Sequence, residues 1–317
     1  LNDIDAAHRH RAQAYVGLRR QGEIGRAARI ACWLAREQIF LDGNAPAMRG
    51  WFGRAEHLTP LLPPDGPDRA WCAIMRASVT AAPRELAAVA ADSLRTARRY
   101  GDAELEAFAL AFHGQDLTML GHVGQGMAQL DEAMTIATSG EAADLTIISE
   151  IFCVMLSTCE TAGDLARSDA WCSRAMAFAR QYNCPFLFAY CRTAYGGLMT
   201  AMGRWAEAEA ALTEAIHAFE RGHRGLRTHA VIRLADLRVG QGRIEEAELL
   251  LIGLEDQPAA VVPLAHLHLQ KGEATEARAI LEQALPTDAA PLAGLPVLLV
   301  WVDVLLALGD AEGVLQA

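Results

Sequence analysis

The sequence predicts an all-α fold: a solenoid of about eight helical hairpins coiled into a right-handed superhelix. Three observations carry this reading. A small-residue turn recurs along the 317 residues at Gly43, Ala81-Ala82-Pro83, Gly121, Gly163, Gly203, Gly242, Gly272 and Gly309, with five of the seven intervals between 39 and 42 residues. A fixed period of this size marks stacked helical hairpins. Alanine and leucine dominate, and no run alternates as a half-buried strand would. Small and large residues also recur at fixed offsets after the turns. Five residues on stand Met48, Gly126, Ser168, Ala208, Ala247 and Ala277; nine on stand Phe52, Leu130, Cys172, Leu212, Leu251 and Leu281. Twelve on stand Ala55, Ala133, Ala175, Ala215 and Ala284, with Leu254 the exception. Small residues let two helices approach, and the apolar one fills the seam between them.

The elements follow in order. A capping helix over about 5–20 ends at Gly22, and the first hairpin takes 24–41 and 45–61 around Gly43. Leu62-Pro63-Pro64-Asp65-Gly66-Pro67 is the one strong loop. It keeps the register, so it is a turn between repeats. Helices over 67–80 and 83–100 flank Ala81-Ala82-Pro83, and Asp102 supplies an N-cap for 103–120, followed by 124–138. Helix 143–162 leads to Gly163, and Asp164 caps 165–181. Pro185 suits the first turn of 185–202, and 205–220 completes that hairpin. The last hairpins take 224–241 with 244–254, and 258–271 with 274–285, Pro258 opening the first helix of the latter. A final helix spans 291–308.

Length alone suggests two domains, but a continuous array needs no internal boundary. The chain therefore reads as one repeat domain over 1–317, with 1–23 as the N-terminal cap and 24–317 as repeats. At 52% apolar and 21% charged residues the composition is that of a folded chain. Leu292 to Leu308 is apolar nearly all round and only a short tail follows, so a further domain or partner is expected to cover this end. A start at Leu1 rather than Met points to a piece of a larger protein.

Net charge is −11 and unevenly spread. Residues 1–54 hold nine arginines against five acids, and the remainder is strongly acidic, so the array body is a poor candidate for direct DNA binding. The basic N-terminal end suits either an acidic partner or simple solvation. The seven cysteines and the lack of a secretory signal point to reduced thiols in the cytoplasm. The stretch to Leu308 contains Pro296 and Asp303 and is about a turn short of a membrane span.

Chemistry finds little support. Cys153, Cys159, Cys172, Cys184 and Cys191 cluster in sequence but form no Cys-x-x-Cys pair, and Cys153 and Cys159 lie on different faces of one helix. They read as buried structural thiols, and no metal or cofactor is expected. No Gly-x-Ser-x-Gly, His-Glu-x-x-His or glycine-rich dinucleotide fingerprint occurs. Binding, not catalysis, is the expectation.

The offsets resemble the tetratricopeptide repeat (TPR), with a period nearer forty than thirty-four. Ala31-Cys32-Trp33-Leu34-Ala35 precedes Gly50-Trp51-Phe52-Gly53-Arg54-Ala55; later come Gly203-Arg204-Trp205-Ala206-Glu207-Ala208-Glu209 and Arg233-Leu234-Ala235-Asp236-Leu237-Arg238. In order and spacing these resemble the TPR region of large LuxR-type bacterial transcriptional regulators related to the maltose activator. That resemblance implies a signal-receiving array whose partner is a protein segment or a small effector. It also implies that DNA is met only through a separate helix-turn-helix module not in this chain. Some members carry an ATPase, but this chain has no Gly-x-x-x-x-Gly-Lys-[Ser/Thr] loop. A stand-alone scaffold or adaptor is the alternative.

Setting the repeats in register makes the chain its own alignment. Eleven residues before the turns stand Cys32, Trp71, Leu110, Phe152, Arg192, Val231, Val261 and Leu298. Arg192 breaks this apolar column, so a carboxylate partner is expected, Glu150 or Glu160, with an anionic ligand as the alternative. His113 likewise interrupts the column of Ala35, Ile74, Met155, Tyr195, Leu234, Leu264 and Trp301; it is either a satisfied core histidine or a site residue. Positions that line the concave face of TPR arrays give Glu37, Arg69, Arg76, Phe108, Gln115, Glu150, Cys153, Ser157, Glu160, Tyr190, Thr193, His229, Asp236 and His266. With an acidic middle, this groove suits a peptide carrying basic residues or a small polar-aromatic effector. Gly196 and Gly197 leave room for close approach or tight packing.

Overall fold

The structure is a computed structural model that describes residues 4–220, 224–285 and 291–316. It is an all-α solenoid of TPR-like hairpins. A leading helix, α1 (Ile4–Gln21), is followed by α2 (Ile24–Asp42) with α3 (Ala45–Leu58), and α4 (Pro67–Thr80) with α5 (Pro83–Tyr100). Next come α6 (Ala103–Met119) with α7 (Val123–Ser139), α8 (Leu145–Ala162) with α9 (Leu165–Gln181), and α10 (Pro185–Ala201) with α11 (Trp205–Phe219). The last three hairpins are α12 (Arg224–Gly240) with α13 (Ile244–Leu251), α14 (Val261–Gln270) with α15 (Ala274–Glu282), and α16 (Pro291–Leu308) with α17 (Ala311–Gln316). Each first helix also packs on the first helix of the next hairpin. Residues 1–3 and 317, the extremes of the span expected from sequence, lie outside the described residues.

Local chemistry explains the turns. All seven turn glycines lie in the left-handed region, from φ 65° at Gly43 to 94° at Gly121, where a side chain would be strained. The eighth turn works differently: Ala81 and Ala82 are extended, at ψ 152° and 156°. Pro83 imposes this on Ala82 and then serves as the first residue of α5. Asp102 accepts from the Leu105 N–H at 3.0 Å and Asp164 from the Arg167 N–H at 3.0 Å, capping α6 and α9 as expected. Asp102 also accepts from the Trp71 indole at 2.9 Å, tying consecutive hairpins.

Several boundaries differ from expectation. Pro60 cannot continue α3, so Thr59–Leu61 tightens into a 3-10 turn. Pro258 opens a 3-10 turn, not an α-helix, and α13 stops at Leu251 ahead of Gly253 at φ 76°. Helix α17 adds a short partner for α16. Val300, Val304 and Leu305 of α16 are buried, whereas Leu295, Leu299 and Leu306 remain exposed. Helix α8 is long and apolar enough to cross a membrane, yet more than half of its apolar window is buried inside the solenoid.

Beyond neighbour-on-neighbour packing, the coil closes on itself. Helix α2 touches α12, and α16 touches α6 and α8. Phe40 of α2 packs on the cluster containing Leu226 and Ala230 of α12. The first helices therefore surround a narrow interior instead of an open trough.

Close packing sets two testable costs. Gly114 and Gly126 cross back to back; a Cβ on Gly114 would lie 2.6 Å from the Gly126 carbonyl oxygen. Gly114→Ala is expected to destabilise by about 1–3 kcal/mol in urea unfolding. Asp116 is 2% exposed, and its Oδ2 has no hydrogen-bond partner in the described structure. Burial pushes its carboxyl up to about 7. The native state then holds a proton that the unfolded chain releases above its ordinary range, so stability falls as pH rises toward 7 and the loss is complete above it. Asp116→Asn should stabilise by on the order of 1–3 kcal/mol at pH 8 and by almost nothing at pH 4, read from melting temperatures.

Candidate ligand cavity

Closure of α2 on α12 leaves a cavity of about 290 Å³ inside the coil. Its walls are mostly apolar: Trp33 and Phe40 come from α2, Phe112 from α6, Val154 from α8, Phe186 from α10 and Leu226 from α12. Arg36 lines it as well. This guanidinium is 2% exposed and lies 5.4–5.8 Å from the ring centroids of Trp33, Phe40, Phe108 and Phe112. It donates to Glu150, Ser78 and, at 3.3 Å, the Met75 carbonyl, while its Nε finds no partner. Burial pushes the Glu150 carboxyl up, and the adjacent Arg36 opposes that shift.

Further pairs cross the interior. Arg11 of α1 meets Glu37 and reaches Thr146 of α8 at 3.5 Å; His8 Nδ1 lies 2.9 Å from Glu37. Glu160 of α8 receives Arg233 of α12, with Nη2 2.6 Å from Oε2. That bridge passes over α10 at Gly197, where a Cβ would collide with Arg233 Nη1 and Glu160 Oε1. Gly196 serves packing instead: its Cβ would lie 2.5 Å from Leu212 of α11.

The residues expected to line a groove divide accordingly. Glu37, Gln115, Glu150, Cys153, Ser157 and Tyr190 line the cavity together. Glu160 lies beyond it in its bridge to Arg233; Asp236 stands 3.5 Å from His266, and His229 is exposed. Phe108 is fully buried, and the Thr193 hydroxyl is turned onto the Ala189 carbonyl in the core. Arg69 and Arg76 face a surface hollow beside Phe52 and Glu56, and Arg76 pairs with Glu56. Helix α4 presents Ser78 to the interior instead. The core columns counted from Ala81-Ala82-Pro83 nevertheless hold, since Trp71 and Ile74 are fully buried.

The expected partners of Arg192 are also corrected. Glu150 is taken by Arg36 and Glu160 by Arg233, and Arg192 Nε stands 2.7 Å from Glu214 on α11. Arg192 is half-buried and lies over the Tyr195 ring, at the edge of the core. His113 is half-buried, its Nδ1 2.7 Å from the Gln129 amide oxygen. The acidic middle of the groove is likewise neutralised from within, since each carboxylate there has a cation from the same chain. Among the described residues, no three His, Cys, Asp or Glu side chains converge as a metal centre requires.

Arg36, the most deeply buried cation of the cavity, escaped the column comparison. One row further on, seven residues before each turn, stand Arg36, Met75, Gly114, Leu156, Gly196, Ala235, Ala265 and Val302. Arg36 is the lone charge in that row. Arg36→Met should destabilise by roughly 3–5 kcal/mol because it strands Glu150. Adding Glu150→Gln should recover much of the loss, a coupling that a double-mutant cycle in urea measures.

No protein-family model matches the sequence, and no curated protein matches it. Among solved structures, the chain is similar to the crystal structure of a Rap protein complexed with Competence and Sporulation Factor. The TM-score is 0.62 at 16% identity, over 99% of this chain and 86% of that chain. At this identity the likeness is one of fold: it supports the TPR-like helical repeat and says nothing for a LuxR-type regulator.

Proposed function

We propose that the chain is the effector-sensing module of a bacterial regulator and that its ligand, a short peptide or a small molecule, binds in the interior cavity. One observation carries this reading. The cavity wall is assembled from α1, α2, α4, α6, α8, α10 and α12, so a bound molecule would touch both sides of the α2–α12 closure. Such a ligand has different contacts in closed and opened coils, and that difference is what shifts a conformational equilibrium. The solved Rap structure lends support, since a protein of this fold is named there in complex with a factor.

The finer reading, that the output is transcriptional, rests on the sequence resemblance to LuxR-type regulators and requires a helix-turn-helix module outside this chain. A cytoplasmic setting suits it, as all seven cysteines are free and buried. The alternative, an adaptor without a DNA link, draws on the exposed Leu295, Leu299 and Leu306 of α16, a face suited to meeting another protein. In either reading this face is where the output partner would dock.

The test is native mass spectrometry after incubation with a random five-residue peptide library and a bacterial metabolite extract. A 1:1 adduct is expected with the native chain and not with Val154→Phe, which fills the cavity. Hydrogen exchange in α2 and α12 should slow on binding. An adduct retained by Val154→Phe, or exchange at α2 and α12 left unchanged by a bound ligand, would overturn the proposal.

A further inference from the structure

The cavity also specifies what kind of molecule fits, given the sensing role proposed above. We infer that it is a site for a small, uncharged aromatic molecule of one or two rings carrying a single O–H or N–H donor.

Size comes first. A cavity of about 290 Å³ is at the lower end for small-molecule sites, and an apolar cavity of about 150 Å³ accepts benzene. The interior thus holds a ring system of about twice that bulk, and a longer side-chain-bearing peptide would extend beyond it.

Charge comes second. The charged groups lining the cavity are Arg11, Arg36, Glu37 and Glu150. Arg11 is paired with Glu37, and Arg36 with Glu150. A ligand of either sign would add an uncompensated charge to a mainly apolar space, at large cost. The aromatic faces of Trp33, Phe40, Phe112 and Phe186 favour a flat apolar body instead.

Hydrogen bonding fixes the third property. Ser157 Oγ commits its proton to the Val154 carbonyl at 3.0 Å, so it accepts from Gln115 Nε2 at 3.1 Å. Gln115 is thereby held with its amide nitrogen on Ser157, and Oε1 is left without a partner among the described residues. An accessible acceptor at the edge of an apolar chamber selects one donor on the ligand, and a ring lacking it leaves that acceptor dry.

Isothermal titration with three bicyclic probes tests this: 2-naphthol, 2-naphthoate and 2-naphthylmethylammonium. The native chain should bind 2-naphthol 1:1 and at least tenfold more tightly than either charged probe. Gln115→Leu should weaken 2-naphthol about tenfold. Val154→Phe should abolish binding, and Ala7→Phe, at the cavity edge on α1, should do so without touching the α8 core; circular dichroism and melting temperature serve as fold controls. The inference is overturned if 2-naphthol gives no saturable heat, if a charged probe binds within threefold of it, or if both filled variants still bind it. Should 2-naphthol fail while a five-residue peptide still binds and is blocked by Val154→Phe, only the ligand class is wrong. Should both fail, the sensing role falls as well.

Discussion

A guanidinium taken out of water must find a carboxylate, and the one that Arg36 meets lies 114 residues away along the chain, at Glu150. That requirement organises the interior. It draws the first hairpin across to the fourth, brings Phe40 onto α12, and turns a trough into a chamber. The surrounding rings of Trp33, Phe40, Phe108 and Phe112 compensate part of the desolvation through the cation's contact with their faces. The same pairing removes the acidic field that would have attracted a basic ligand, so architecture and chemical preference have one origin.

Closure also explains how the uneven charge of the sequence is used. Arginines of the basic N-terminal segment find acceptors or carboxylates in the later repeats: Arg36 on Glu150, Arg29 near Asp68 at 3.7 Å, and Arg11 at Thr146. At least part of the positive end therefore meets its acidic partner within the same molecule. Others, Arg20, Arg49 and Arg54 among them, stay exposed on the outside.

The repeat, the hairpin order and most helix ends were legible in the sequence because each depends on a few adjacent residues. A glycine that must adopt positive φ, a capping aspartate or a proline at a helix start acts locally. Small residues such as Gly126 and Ala208 revealed the helix seams for the same reason. The chamber was only half legible. Glu37, Gln115, Glu150, Ser157 and Tyr190 stand at positions that line the concave face of TPR arrays, and they meet at the cavity because those positions share one helix face. Arg69 and Arg76 line a surface hollow between the first two hairpins instead, a placement that depends on how neighbouring hairpins pack. Arg36 and Leu226 were missed because contact across the coil depends on superhelical pitch, the accumulated result of many small rotations between hairpins. Arg36 had nonetheless left a trace as the sole charge in its row.

Gly197 has a consequence for how the molecule comes apart. In a solenoid whose units contact only their neighbours, unfolding spreads from the ends and each repeat opens nearly on its own. Here the Glu160–Arg233 bridge straddles α10 where Gly197 makes room, and Arg36–Glu150 skips two hairpins. Such ties couple non-neighbours, as do the contacts of α16 with α6 and α8, so opening one hairpin disturbs others far along the chain. The array is thus expected to open as one unit and not repeat by repeat from its ends.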